Sequence, residues 1–105
     1  MGTPIYVAPE IIEGKEYLGE KVDVFSCGVV LFIMLTGRYP FYCATLEDKR
    51  YNLLMQKKIS EYWKTFEGKI SEPLSTEAQD LLQKMFAYVP TERITLEEIS
   101  EHPWY

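Results

Sequence analysis

Cysteine is scarce in this chain of 105 residues, and the two present, Cys27 inside an apolar run and Cys43 in a turn-like segment, have neither metal-ligand nor redox spacing. No secretory signal precedes them, so they read as reduced thiols in an intracellular, cytoplasmic setting. Histidine is scarcer still, with His102 alone, and it reads as packing at a helix end before Pro103. A run of about 20 apolar residues, the length a bilayer span needs, is also missing: the longest stretch, Val22 to Leu35, carries Asp23 and Ser26. Basic residues are the minority, 11 Lys and Arg against 16 Asp and Glu, and the formal charge of -5 argues against a nonspecific nucleic-acid surface and towards basic peptides as partners. Gly2, Gly14 and Gly19 form no strand-to-helix phosphate cradle.

What is present is ordinary globular material, 47% hydrophobic and 26% charged, without repeats or low-complexity tracts, and one domain or less in length. Pro4 and Pro9 predict an extended Gly2 to Ala8 followed by a short helix through Ile12. The segment KVDVFSCGVVLFIMLTG predicts a helix closed by Gly37, apolar almost all round and therefore the centre of the fold. Thr45 is expected to cap a helix running to about Lys58, with Tyr51, Leu54, Met55 and Ile59 on one face. The stretch SEYWKTFEGKISEPLS reads as an irregular connection that packs Trp63 and Phe66 inward. Ser75 or Thr76 then caps a helix with Ala78, Leu81, Leu82, Met85 and Phe86 on one stripe, ended by Pro90. Thr95 to Glu98 has capping-box spacing for a last short helix towards His102, and no strand is expected anywhere.

Three segments together, GTPIYVAPE, VDVFSCGVVLFIMLTGRYPF and PTERIT followed by HPWY, resemble in order and spacing the C-terminal half of the large lobe of eukaryotic protein kinases. The match covers nearly the whole chain, residues 1–105, as a partial kinase domain, and the form before Ala8-Pro9-Glu10 is similar to that of serine/threonine kinases. The central helix and the His-Pro-Trp ending look most like the calcium/calmodulin-dependent kinase group. The resemblance implies a mainly α fragment of the α+β kinase fold. It implies that Thr3 approaches the catalytic aspartate and that Gly2, Pro4 and Tyr6 shape the pocket for the substrate residue after the phosphoacceptor. It further implies that Glu10 pairs with Arg93, that Asp23 accepts hydrogen bonds from the catalytic-loop backbone, and that the helix near Thr45 docks substrates or regulators. Phe25 stands where the family usually has Trp, and Ile33 where many arginine-directed members carry Glu; Glu47 and Asp48 are the acids nearby that would replace it.

Phosphoryl transfer by this family needs a Gly-rich loop, a phosphate-pairing Lys, a catalytic Asp with its Asn, and the metal-holding Asp of D-F-G, and none of these motifs occurs in the sequence. The chain therefore reads as part of an ATP- and Mg2+-dependent serine/threonine kinase, without nucleotide, metal or catalytic residues of its own and inactive alone, whose partners are peptides, regulators or the missing kinase segments. The alternative is a non-catalytic module that captures a peptide or kinase partner between the opening loop and the Thr45 helix. With few helices to cover Val24, Phe25, Val29, Val30, Leu31, Phe32, Ile33, Met34 and Leu35, the chain by itself is expected to fold poorly or self-associate.

Overall fold

A computed structural model describes residues 7–70 and 73–104 of the chain. Those residues form six α-helices and one 3-10 turn joined by loops, with no strand among them. The first helix, α1 (Pro9–Ile12), starts where Ala8 is still extended and Pro9 takes the first helical position, where its missing N–H is no loss. Glu13 caps its C-terminal end, and the turn beyond places Gly14 at a φ of 71°, which is open to glycine without strain.

The long helix α2 (Gly19–Thr36) runs through the middle. Gly37 closes it at φ 72°, donating its N–H to the Ile33 carbonyl at 2.7 Å. Of its ten large apolar side chains, Val24, Phe25, Val29 and Phe32 are buried, Val22, Leu31 and Ile33 are half-buried, and Val30, Met34 and Leu35 are exposed. Asp23, Cys27, Val30 and Met34, spaced i, i+4, i+7 and i+11, therefore make one bare stripe along the helix. The buried side meets α5 (Thr76–Met85), which is capped by Ser75 accepting from the Ala78 N–H at 3.1 Å and buries Ala78, Leu81, Leu82 and Met85.

Gly28 sets how closely these two helices approach. A Cβ there would lie 2.9 Å from the Met85 Cβ and 3.0 Å from the Phe86 ring. Met85 Cβ is fixed to its own backbone and cannot swivel away. Glycine inside a helix ordinarily costs about 0.5–1 kcal/mol relative to alanine, so a Gly28→Ala change would stabilise α2 if propensity decided the matter. Here the contact decides it: the variant is expected to be less stable by about 1–3 kcal/mol, as overpacked cores are, and urea unfolding measures the sign directly.

Three expectations from the sequence fail between α2 and α5. Thr45 does not cap the next helix; α3 (Lys49–Met55) is capped by Asp48. One Asp48 carboxylate oxygen accepts from the Tyr51 N–H at 3.0 Å and the other from the N–H groups of Tyr42 and Cys43, at 2.7 and 3.1 Å. A hydroxyl cannot gather three donors in this way, and so the acid wins the cap. The helix also stops short of Lys58, because Lys57 takes the left-handed conformation at φ 60° and turns the chain. What had read as an irregular connection then begins with a further helix, α4 (Ile59–Lys64), packed against α3. Its aromatic residues do face inward: Trp63 stacks on Phe32 with centroids 5.8 Å apart, and Phe66 lies 5.2 Å from the same ring.

After α5 the chain passes through a 3-10 turn at Pro90–Glu92 to α6 (Leu96–Glu101). The capping box is complete, with Thr95 Oγ1 accepting from the Glu98 N–H at 3.1 Å and Glu98 accepting from the Thr95 N–H at 2.9 Å. His102 is buried beyond it: Nε2 sits 2.7 Å from an Asp80 carboxylate oxygen and Nδ1 accepts from the Trp104 N–H at 3.1 Å. That pattern puts the proton on Nε2, so the ring pins the C-terminal turn to α5.

Candidate functional site

Arg93 leaves the 3-10 turn in an extended conformation and drives its side chain inward until 1% of the residue is exposed. Its guanidinium has five N–H donors in a planar fork, and every one finds an acceptor. Nη1 donates to Glu10 Oε2 at 2.8 Å and to the Lys21 carbonyl at 2.9 Å; Nη2 donates to Glu10 Oε1 at 2.9 Å and to the Tyr88 carbonyl at 3.4 Å. Nε donates to the Ala87 carbonyl at 2.9 Å. The plane lies over Phe25, 5.1 Å from the ring centroid, and Lys21 Nζ returns a bond to the Arg93 carbonyl at 2.8 Å. One side chain thus ties α1, the start of α2 and the segment after α5 into a single knot.

Glu10 is 3% exposed in the first turn of α1. Burial alone would raise its pKa, and that is the largest single influence, but the Arg93 hydrogen bonds, its own backbone N–H and the Arg93 charge together hold it below the ordinary 4.5. Asp80 is likewise lowered, first by His102 and then by Lys84 at 2.9 Å. A carboxylate whose folded pKa is depressed contributes stability above its unfolded pKa and loses it as pH falls through the folded value. Melting temperature is therefore expected to drop as pH falls from about 4.5 downward, and Glu10→Gln should flatten that slope. An unchanged slope in the variant would show that Glu10 does not link protons to folding.

Asp23 is exposed at the head of the bare stripe on α2 and has no hydrogen bond or ion pair to another described residue. Ile33 is half-buried against the core, and Asp48 is spent on backbone N–H groups, which leaves Glu47 as the one exposed acid of that pair. The loop between α2 and α3 walls a cavity of about 530 Å³, with Tyr42, Cys43, Thr45 and Glu47 among its lining residues. The helix beside it starts at Lys49, not Thr45.

The protein kinase domain model matches residues 1–105. The serine/threonine-protein kinase SRK2F of Arabidopsis thaliana is 42% identical over 105 residues, which cover 100% of this chain and 29% of that protein. CBL-interacting protein kinase 20 of Oryza sativa subsp. japonica is 41% identical over 99% of this chain and 20% of its own length, and the rice kinase SAPK7 is 40% identical over 100% and 28%. The chain belongs to the protein kinase family. It spans under a third of the length of these kinases, and its helical architecture is that of the C-terminal part of a kinase large lobe.

Of the residues that the kinase resemblance singled out, the structure brings Glu10 and Arg93 into contact and leaves Asp23 apart from them. Gly2, Thr3, Pro4 and Tyr6 lie outside the described residues. Among the described residues of this kinase chain, no group of three or more His, Cys, Asp or Glu side chains could hold a metal ion. Sequence reasoning missed Lys21, Ala87 and Tyr88 as supports of Arg93, because two of them act through backbone carbonyls and Lys21 through both its carbonyl and its ammonium.

Proposed function

We propose that this chain is the substrate-docking and scaffolding part of a serine/threonine protein kinase domain of the calcium/calmodulin-dependent group, acting inside the cell. The complete domain would transfer phosphate from ATP with Mg2+ to protein serine or threonine. In this reading Gly2, Thr3, Pro4 and Tyr6 form the docking loop, and the Glu10–Arg93 pair holds the base of that loop against α2. Asp23 anchors the catalytic-loop backbone from the bare side of α2. The group assignment rests on the central helix and the His-Pro-Trp ending.

The observation that carries the reading is the buried, two-pronged Glu10–Arg93 contact, which fixes Ala8-Pro9-Glu10 against residues more than eighty positions away. A loop that must present a peptide hydroxyl to within hydrogen-bond distance of a base needs such a rigid footing. The test is a chimera in which this chain replaces the matching segment of a complete serine/threonine kinase. The chimera is expected to phosphorylate serine or threonine peptides, and Asp23→Ala in it to lower kcat by at least about tenfold while the chain alone transfers no phosphate. A folded chimera without activity, or activity in the isolated chain, would overturn the assignment.

A further inference from the structure

The cavity of about 320 Å³ between the α2–α3 loop and the turn after α4 is lined by Arg38, Tyr39, Phe41, Tyr42, Arg50 and Lys69. Three of those six residues are cationic and none is acidic, in a chain whose net charge is -5. Two of the cations are held in place by neutral acceptors. Arg38 Nε donates to the Lys69 carbonyl at 2.9 Å. Arg50 donates through Nε to Thr65 Oγ1 at 3.1 Å and through Nη2 to the Thr65 carbonyl at 3.3 Å, with its guanidinium 4.1 Å from the Phe66 ring centroid. No ion pair among the described residues neutralises any of the three. Guanidiniums fixed by one edge keep their remaining N–H groups in a preset fork, and that fork matches the oxygens of a phosphate.

From this arrangement we propose that the cavity binds a phosphate monoester carried on a peptide, with Arg38, Arg50 and Lys69 contacting its oxygens. Holding three like charges around one hollow raises the energy of the empty state, and a dianion reverses that sign where a single carboxylate would do so less completely. The exposed rings of Tyr39 and Tyr42 at the rim supply apolar surface for the residues that flank the phosphorylated side chain, which inorganic phosphate cannot use. The site does not depend on which hydroxyl the complete kinase phosphorylates, nor on the docking loop.

Fluorescence anisotropy with a labelled, otherwise uncharged peptide carrying one phosphoserine tests it on the whole chain. The phosphorylated peptide is expected to bind at least about tenfold tighter than its unphosphorylated form, and affinity should fall with added salt. The double variant Arg38→Ala/Lys69→Ala removes two exposed side chains, spares the packed Arg50, and should lose at least about tenfold in affinity. Lys58→Ala/Lys64→Ala, with the same change in net charge elsewhere, should lose less than about twofold. Equal binding of the two peptides, equal losses in the two double variants, or inorganic phosphate competing as well as the phosphopeptide would each overturn the proposal. Melting curves of both double variants that match the parent assign a lost affinity to the site and not to unfolding.

Discussion

Replacing Arg93 with methionine is expected to destabilise the chain by about 3–5 kcal/mol, the range for leaving one member of a buried ion pair without its partner. Methionine fills much of the same space, so the loss is electrical more than steric. It strands the Glu10 carboxylate at 3% exposure and takes the Arg93 donors away from the carbonyls of Ala87 and Lys21. Glu10→Gln should cost less, since an amide oxygen still accepts one bond from the fork. The double variant should cost less than the two single changes added together, because the second change removes the group that the first left stranded. Denaturant unfolding of all four proteins measures the coupling, and a value indistinguishable from zero would show that the pair's two members act independently. None of this makes the pair a large net source of stability, since desolvation offsets much of its attraction; its effect is to fix geometry.

An effect of similar size is expected at Phe25. Its ring is fully buried, 5.8 Å from Phe41, 6.1 Å from Tyr51 and 5.8 Å from Phe86, and it forms the surface over which the Arg93 guanidinium lies. Phe25→Ala opens a cavity among rings that cannot collapse together, because Tyr51 is tied through its hydroxyl to the Phe86 carbonyl at 3.0 Å. The expected cost is about 3–5 kcal/mol, against a total of roughly 5–15 kcal/mol for a typical domain. The larger Trp that the kinase resemblance implies at this position is not expected to help this chain: in a fully buried site bounded by three rings, Phe25→Trp should cost about 1–3 kcal/mol until Phe41 or Phe86 is also trimmed. A Phe25→Trp variant more stable than the parent would show that the surrounding rings are looser than their spacing implies.

How much of this was legible beforehand followed the range of the forces involved. The Ser75 cap, the Thr95–Glu98 box and the Gly37 stop are local hydrogen bonds within four residues, and spacing alone reveals them. Asp48 displaced Thr45 as a cap because its second oxygen serves Tyr42 and Cys43 across the loop, a gain that a helix signal does not encode. The helix at Ile59–Lys64 was hidden by its aromatic residues, which read as loop packing until Phe32 supplied the face they cover. Glu10 and Arg93 could be paired only through the kinase resemblance, as no periodicity relates them. The Arg38, Arg50 and Lys69 cluster had no signal at all, since a loop, the first turn of α3 and a turn 31 residues beyond Arg38 create it together.

The span of the Glu10–Arg93 contact, 83 positions along the chain, also bears on the order of events in time. Closing so long a loop is entropically costly and is rewarded only after the helices between its ends have docked. The knot therefore belongs to the last steps of folding and is largely absent from the transition state. Loss of Arg93 should accordingly leave the refolding rate nearly untouched and appear almost wholly as faster unfolding. In a stopped-flow chevron the folding arm would stay in place while the unfolding arm rises. The contact thus acts as a latch on the lifetime of the folded chain: the route into the fold does not need it, and the route out must break it first.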